Sequence, residues 1–172
     1  MLKLAAGMAG LMLAAAIPAG AGAAVLGQDP AACSGAGPAM LIQIEGLKRR
    51  AGIIRVQSYG GDPNRYFEKG AYLRRIEFPV PAVGPVDVCV PVPAIGTYAV
   101  SVRHDVDSSG KAGMSDGGGM SGNPHMSLFD VMFKRKPNPA KVQVSVRGVT
   151  RVPVRMNYVQ GGSFGPIAMA SR

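Results

Sequence analysis

The sequence predicts an all-β fold, a single β-sandwich of two sheets with about seven strands and one long loop. Apolar residues alternate with polar ones along most of the chain after residue 38, which is the pattern of half-buried strands. Gly, Pro, Asn and Asp separate these segments, and no long segment carries apolar residues at helical spacing. Strands that each have one apolar face bury it most simply against a second sheet.

The alternating segments are the predicted strands. Their inward residues are Met40, Ile42 and Ile44; Ile54 and Val56; Ile76 and Phe78; Val86, Val88, Val90 and Val92; Tyr98, Val100 and Val102; Val142, Val144 and Val146; and Val152, Val154 and Met156. Several prolines flank the segment around Cys89 and cannot donate to a strand ladder, so this strand is predicted to be an edge strand or bounded by bulges. Residues 62–70 are expected to form one helical turn.

The first 23 residues have the features of a secretory signal peptide. Lys3 supplies the positive charge, an Ala-, Leu- and Met-rich run follows, and cleavage is expected after Ala23, with Ala21 or Ala24 as alternatives. The apolar run is too short for a comfortable membrane span, and no later segment approaches one. We therefore expect an exported protein, periplasmic or secreted, with no transmembrane segment.

Composition divides the rest of the chain into three parts. Residues 24–38 are small and polar and predict an N-terminal arm. Residues 39–160 carry the alternation and predict the β-sandwich domain, and residues 161–172 are expected to be a flexible C-terminal tail.

The two cysteines, Cys33 and Cys89, are expected to form a disulfide, because an exported chain with an even cysteine count favours one. The alternation places Cys89 on the outward face of its strand, so the bond would hold the arm across that face. The chain-entropy model gives such a bond about 3–5 kcal/mol of stabilisation. Two free thiols or two copper ligands are the alternative.

A formal net charge of +9 favours anionic partners, such as lipid or acidic glycan of the envelope. The cations are dispersed, at Lys48, Arg49, Arg50, Arg74, Arg75, Lys134, Arg135, Lys136, Arg147, Arg151 and Arg155. This dispersed basic face is either a surface for an anionic envelope component or a solvated face without a partner. Export and the lack of a nucleic-acid-binding motif argue against a nucleic-acid partner.

The loop of about twenty residues from Asp105 to His125 has the ligand spacing of a calcium site. The expected ligands are Asp105, Asp107, Ser109, Lys111 through its carbonyl oxygen, and Asp116, and Gly110 permits the sharp turn between them. Ser109 and Asp116 are weaker ligands than the usual ones, so the expected affinity is low, with a dissociation constant of about 10⁻⁴–10⁻³ M. The alternative is an Asx-rich turn held by its own backbone hydrogen bonds.

A copper site is the alternative metal hypothesis. Met114, Met120 and Met126 recur every six residues beside His125, and thioether and imidazole ligands favour copper. The competing interpretation is that the methionines pack in the core or lie in a mobile loop.

We expect no catalysis. His104 and Asp105 are adjacent, so their side chains point to opposite sides of an extended chain and are badly placed as catalytic partners. The pattern Gly-x-Ser-x-Gly occurs at residues 113–117 and 161–165, but neither segment stands between a predicted strand and a predicted helix as a nucleophile elbow does, and no paired carboxylates are evident. His104 continues the inward phase of its strand, which predicts a hydrogen-bonded histidine at the rim of the core.

The segment from Gly96 to Phe133 resembles the bacterial domain of unknown function 2141 family. The resemblance rests on the strand Gly96-Thr97-Tyr98-Ala99-Val100, on His104-Asp105, on the polar run Asp107 to Lys111, and on the return Ser127-Leu128-Phe129-Asp130 to Phe133. It extends upstream to a first strand ending Glu45-Gly46-Leu47 and a second ending in Tyr59, and thus covers most of residues 39–158.

The resemblance implies a small exported β-sandwich, transthyretin-like or immunoglobulin-like, with no known catalysis. The chain departs from the family pattern in the loop, where a Gly-, Met- and Ser-rich run at residues 112–122 replaces an Asn/Asp-rich segment followed by proline and aromatic residues. A loop function shared by the family is therefore not carried over to this chain.

Overall fold

A computed structural model describes residues 24–167, so the predicted signal peptide, residues 1–23, lies outside the described residues. Within this range eleven β-strands form two sheets, and one α-helix and three 3₁₀-helices lie in the connections. The predicted all-β, two-sheet class is confirmed. No helix in the described range is long and apolar enough to cross a membrane.

The smaller sheet has four strands in the order β1 (Val25–Leu26), β5 (Val86–Pro91), β2 (Ala39–Glu45) and β9 (Val149–Arg155). The larger sheet has seven strands, in the order β11 (Ser163–Gly165), β10 (Asn157–Gln160), β7 (Gly117–Met120), β6 (Gly96–Asp105), β3 (Ile53–Gly60) and β4 (Arg74–Pro79), with β8 (Val144–Val146) also paired to β6. The chain passes from the smaller to the larger sheet at Met156, whose amide donates to the carbonyl of Glu45 at 2.8 Å.

The main core lies between the two sheets and is built from the alternate residues that the sequence predicts to point inward. Its largest fully buried side chains include Met40 and Ile42 from β2, Ile54 from β3, Ile76 from β4, and Tyr158 from β10. Val142 is the exception among the predicted inward residues. It belongs to a second, smaller apolar cluster with Tyr59, Tyr66 and Ala99, on the outer face of the larger sheet.

All seven predicted strands are present, but the structure adds β1, β7, β10 and β11. The prediction of one continuous loop from Asp105 to His125 is wrong, because β7 divides it. The sequence of β7 is Gly-Gly-Gly-Met, which has little intrinsic strand propensity. Glycine is nevertheless required at Gly117, since a Cβ atom there would lie 2.3 Å from Cε1 of Tyr158.

The two terminal segments contain more regular structure than the sequence predicts. The arm, residues 24–38, includes β1 and a 3₁₀-helix at Pro30–Cys33. The expected flexible tail, residues 161–172, includes β11, which pairs with β10, and residues 168–172 lie outside the described part. The helical turn expected within residues 62–70 is present as a 3₁₀-helix at Pro63–Arg65, and the third 3₁₀-helix is Pro139–Lys141.

The predicted disulfide between Cys33 and Cys89 is confirmed, with the two Cα atoms 5.7 Å apart. The 3₁₀-helix that carries Cys33 packs on β5 and leaves Cys89 fully buried on the outer side of its strand. The arm is therefore held across that face, as expected. The edge prediction for β5 holds in part, because β1 covers the free edge only at Asp87 and Val88.

Candidate functional site

The first of two candidate regions is the acidic loop, residues 106–116, which joins β6 to β7 in an antiparallel hairpin. Gly110 takes a positive φ of 74°, in agreement with its predicted role in the turn. Asp105 ends β6 and is 6% exposed. One of its carboxylate oxygens accepts from the amide of Ser109 at 3.1 Å and the other from the amide of Gly110 at 2.8 Å. The carboxylate thereby satisfies the backbone of the turn.

Asp116 performs the same function at the other end of the acidic loop. Its two oxygens accept from the amide of Val106 at 3.2 Å and from the amide of Gly113 at 3.0 Å. Asp107 is exposed and accepts from the amide of Ser109 at 3.1 Å. The hydrogen bonds from Ser109 hold the pKa of the Asp107 carboxyl below its ordinary value.

Arg103, on the outer face of β6, places its guanidinium group among these carboxylates. Its Nη2 atom lies 3.0 Å from Asp116 and 3.4 Å from Asp105, and it also donates to the carbonyl oxygen of Lys111. The acidic loop therefore contains a positive charge of its own, supplied two residues before the first carboxylate.

The structure brings together the predicted calcium ligands Asp105, Asp107 and Asp116, whose carboxylate oxygens lie within 4.8 Å of one another. Ser109 donates from its hydroxyl to the carbonyl of Lys111 at 3.2 Å, so the remaining two ligands are adjacent as well. The hydrogen bonds are those of the alternative Asx-rich turn, and calcium binding at these residues stays a prediction.

The predicted copper ligands lie in different surroundings. Met114 is 67% exposed in the acidic loop, and His125 is also exposed. Met120 packs against the second apolar cluster, and Met126 lines a pocket described below. Copper binding by these residues stays a prediction.

His104 is fully buried and hydrogen-bonded, as its strand phase predicts. Its Nε2 atom lies 2.7 Å from the carbonyl oxygen of Ala51, and its Nδ1 atom lies 2.7 Å from the hydroxyl of Tyr158. A carbonyl only accepts, so Nε2 carries a proton, and a neutral ring then accepts from Tyr158 through Nδ1. The Tyr158 hydroxyl in turn accepts from the amide of Lys48 at 3.1 Å. His104 thus links β6, β10 and the segment before β3.

The second candidate region is the α1 corner, residues 123–137, which contains the only α-helix of the described chain, α1 (Leu128–Met132). A capping box begins it: the Ser127 hydroxyl accepts from the amide of Asp130 at 3.1 Å, and the Asp130 carboxylate accepts from the amide of Ser127 at 2.9 Å. The hydrogen bonds from Ser127 hold the pKa of the Asp130 carboxyl below its ordinary value.

None of the residues of α1 is buried, although most are apolar. Phe129, Met132 and Phe133 are spaced three and four residues apart and share one face of the helix. They are 67%, 63% and 66% exposed, and the rings of Phe129 and Phe133 are stacked with centroids 6.4 Å apart. The corner thus presents a compact aromatic patch to solvent, and Lys134, Arg135 and Lys136 follow it directly.

The other face of α1 covers a pocket of about 300 Å³ on the outer side of the larger sheet. The pocket is mostly apolar and is lined by Phe67, Gly118, Gly119, Met120, Asn123, Pro124, Met126, Asp130, Val131, Lys134, Arg135, Lys136, Pro137, Asn157 and Phe164. It adjoins the second apolar cluster, since Phe67 and Met120 contact both.

Sequence reasoning identifies the residues of the aromatic patch as a short apolar return but does not identify the pocket. Its lining comes from segments as distant as Phe67 and Phe164, and its floor is a glycine strand that carries no apolar pattern. The signal in the sequence that could have indicated this region is the mostly apolar run from Leu128 to Phe133. No predicted strand or helix covers this run, and three cations follow it.

No curated protein and no solved structure matches the chain. A family model matches residues 42–152, which include strands β3 to β8, the acidic loop and α1. The printed description of that family is "Uncharacterized protein conserved in bacteria (DUF2141)", and the chain belongs to this family.

Proposed function

We propose that the protein is an exported, non-catalytic β-sandwich, periplasmic or secreted, that docks on anionic lipid of the cell envelope through the α1 corner. The single observation that carries the proposal is the exposed aromatic patch of Phe129, Met132 and Phe133 beside Lys134, Arg135 and Lys136. Exposed apolar patches rimmed by polar residues are typical of interaction sites. The disulfide is compatible with an extracytoplasmic location.

The chemistry of the patch favours a lipid surface over an acidic glycan. Aromatic side chains at an interface are stabilised when their rings leave water, by about 1.5–3 kcal/mol for a fully buried phenylalanine. Basic residues beside them add about 1 kcal/mol each near an anionic membrane. An acidic glycan would use the cations, but it has no hydrocarbon interior in which two phenylalanine rings and Met132 could be buried.

The three cations of the α1 corner differ in whether they form ion pairs with carboxylates of the protein. Lys136 lies 2.9 Å from the Glu68 carboxylate, and Arg135 lies 3.7 Å from Asp130. Both pairs are exposed and therefore weak, so either cation can turn to a lipid phosphate at small cost. Lys134 forms no ion pair with any residue in the described range.

The test is a titration of the oxidised protein with phosphatidylglycerol vesicles and with phosphatidylcholine vesicles, at low and at high salt. We expect binding to the anionic vesicles that weakens as salt rises, because surface charges are screened. The double variant Phe129→Ser/Phe133→Ser should bind at least about tenfold more weakly, given the burial energy of two rings.

A matched control is the double variant Val83→Ser/Ile95→Ser. It removes two side chains that are 82% and 68% exposed but lie outside the corner, and it should bind like the unmodified protein. Equal binding by all three proteins would contradict the proposal, as would equal binding to both vesicle types. Binding to a soluble acidic glycan without vesicle binding would replace lipid by glycan as the partner.

A weak calcium site at Asp105, Asp107, Ser109, Lys111 and Asp116 is a second candidate. The convergence of three carboxylates within 4.8 Å supports it. Calcium would have to compete with Arg103 for two of them, which favours low affinity. Melting in the presence of chelator, calcium, magnesium or stoichiometric copper tests both metal hypotheses. A ligand that binds only the native state raises its stability, so a calcium-specific rise in Tm supports this site.

A further inference from the structure

The pocket under α1 has a floor and walls suited to an alkyl chain. Gly118 and Met120 of β7 form the floor, and Met126, Val131 and Phe164 contribute apolar walls. A volume of about 300 Å³ is at the lower end of the range for small-molecule sites. The pocket therefore has room for one chain of modest length, and a lipid with two chains would leave one of them outside.

The rim of the pocket favours a negative head group. Lys134, Arg135 and Lys136 all line it, and Lys134 is free of ion pairs throughout residues 24–167. Asp130 also lies at the rim, but its carboxylate accepts from the amide and the hydroxyl of Ser127 and pairs with Arg135. Its charge is thus directed toward the helix cap, and the outer rim stays positive.

We propose that this pocket binds a single-chain anionic amphiphile, with its alkyl chain over Gly118 and its head group against Lys134 and Arg135. The shared chemistry is one alkyl chain with a terminal anion, and the source is either a fatty acid or a lysophospholipid. The inference deepens the proposed lipid-docking function and depends on it for the cellular partner. It uses the inner face of α1, whereas vesicle docking uses the outer face.

Gly118 offers a way to fill the pocket without disturbing the core. A Cβ atom at this position meets only Cζ of Phe164, at 3.8 Å, which is ordinary contact. At the neighbouring Gly119 a Cβ atom would lie 2.7 Å from Cγ1 of Val154, so the two glycines have different functions. Gly118→Val therefore occupies the site of the ligand and adds a residue type that strands favour.

The experiment is calorimetric titration of the oxidised protein with dodecanoate and dodecanoyl lysophosphatidylglycerol, each below its micelle concentration, and with neutral dodecanol below its solubility limit. We expect both anions to bind and dodecanol to bind more weakly. Gly118→Val should weaken both anions at least tenfold, and the control Gly148→Val, at a glycine with no atom within 4 Å of a Cβ, should leave them unchanged.

Lys134→Gln should weaken the anions several-fold and leave dodecanol unchanged, and this exposed substitution carries the test if Gly118→Val does not fold. Binding of only one anion supports the inference and identifies the head group. The inference is overturned if neither anion binds, or if both bind the pocket-filling variant as well as they bind the unmodified protein. Vesicle docking is measured separately: its loss refutes the proposed function, whereas loss of amphiphile binding alone refutes only the pocket.

Discussion

The acidic loop and the α1 corner both belong to the larger sheet, yet they differ in their contacts. The carboxylates of the acidic loop have partners within the protein, whereas the apolar side chains of the α1 corner are exposed to solvent. In the acidic loop the carboxylates of Asp105 and Asp116 accept backbone amides and face the guanidinium of Arg103. In the α1 corner the aromatic patch has nothing to cover it within the described chain. The acidic loop, which has the clearer sequence motif, thus pairs its charged groups within the protein. The exposed apolar segment is the one that we propose contacts a partner.

The largest expected effect on stability comes from removing the positive charge of Arg103 from among the carboxylates of the acidic loop. Arg103→Met leaves Asp105 and Asp116 close together without a cation, and we expect it to lower the free energy of unfolding by about 2–3 kcal/mol. Millimolar calcium should then raise the stability of this variant more than that of the unmodified protein, in which calcium has to compete with Arg103. Thermal and denaturant unfolding with calcium and with chelator measure both effects.

A matched control for that variant is Arg55→Met. Arg55 is paired with Glu77 at a similar exposure on the larger sheet but lies outside the acidic loop. Arg55→Met should lower the free energy of unfolding by less than about 1 kcal/mol, because partly exposed ion pairs contribute little. Calcium should not change the stability of this variant. A calcium response as large in the unmodified protein as in Arg103→Met would show that Arg103 does not compete with calcium for Asp105 and Asp116.

The next effect concerns the cap of α1. Ser127→Ala removes the hydroxyl that accepts the amide of Asp130, and the loss of such a cap costs about 1 kcal/mol. Because α1 buries none of its residues, the loss should be local. Hydrogen exchange should accelerate at residues 128–134 and stay unchanged in β6 and β3. Equal acceleration across the larger sheet would show that α1 is part of the cooperative fold.

Acid should act on the same cap through Asp130. Its pKa is lowered from 3.8 by the hydrogen bonds from Ser127, so this contribution to stability is fully present above about pH 4. It is lost as the pH falls through the lower pKa of the folded state, when the carboxyl becomes protonated. The protection factors of residues 128–134, which correct for the intrinsic pH dependence of amide exchange, should fall below pH 5 in the unmodified protein and be independent of pH in Asp130→Asn.

The smallest expected effect on stability comes from the aromatic patch itself. Phe129→Ser/Phe133→Ser changes two rings that are about two-thirds exposed, so the free energy of unfolding should change by less than about 0.5 kcal/mol. The effect of this double variant on stability is therefore expected to be much smaller than that of Arg103→Met. A decrease of about 2 kcal/mol or more in the free energy of unfolding would mean that the two rings stabilise the fold itself.

Much of the fold follows from sequence because alternation and burial agree. The inward residues of the seven predicted strands, apart from Val142, and the disulfide between Cys33 and Cys89 are found as predicted. β7 could not be predicted in this way. Gly117 and Gly119 are required by the close approach of Tyr158 and Val154, which come from residues far along the chain.

The candidate sites, like the fold, could be predicted from the sequence only in part. The spacing of Asp105, Asp107 and Asp116 predicts that their carboxylates converge, and they do. The insertion of the Arg103 guanidinium depends on the direction of a long side chain, which spacing does not determine. The pocket under α1 brings together Phe67, residues 118–137 and residues of β10 and β11, and no local pattern in any of these segments indicates a cavity.

The central claim is that the α1 corner, rather than the acidic loop, meets the partner of this protein. Amide NMR spectra of the oxidised protein, recorded with and without anionic bicelles, test it most directly because they report both regions in one experiment. We predict shifts confined to residues 123–137 and to neighbours of the pocket such as Phe164, with residues 106–116 unchanged. Shifts in residues 106–116 alone, or no shifts in the α1 corner, would contradict the account.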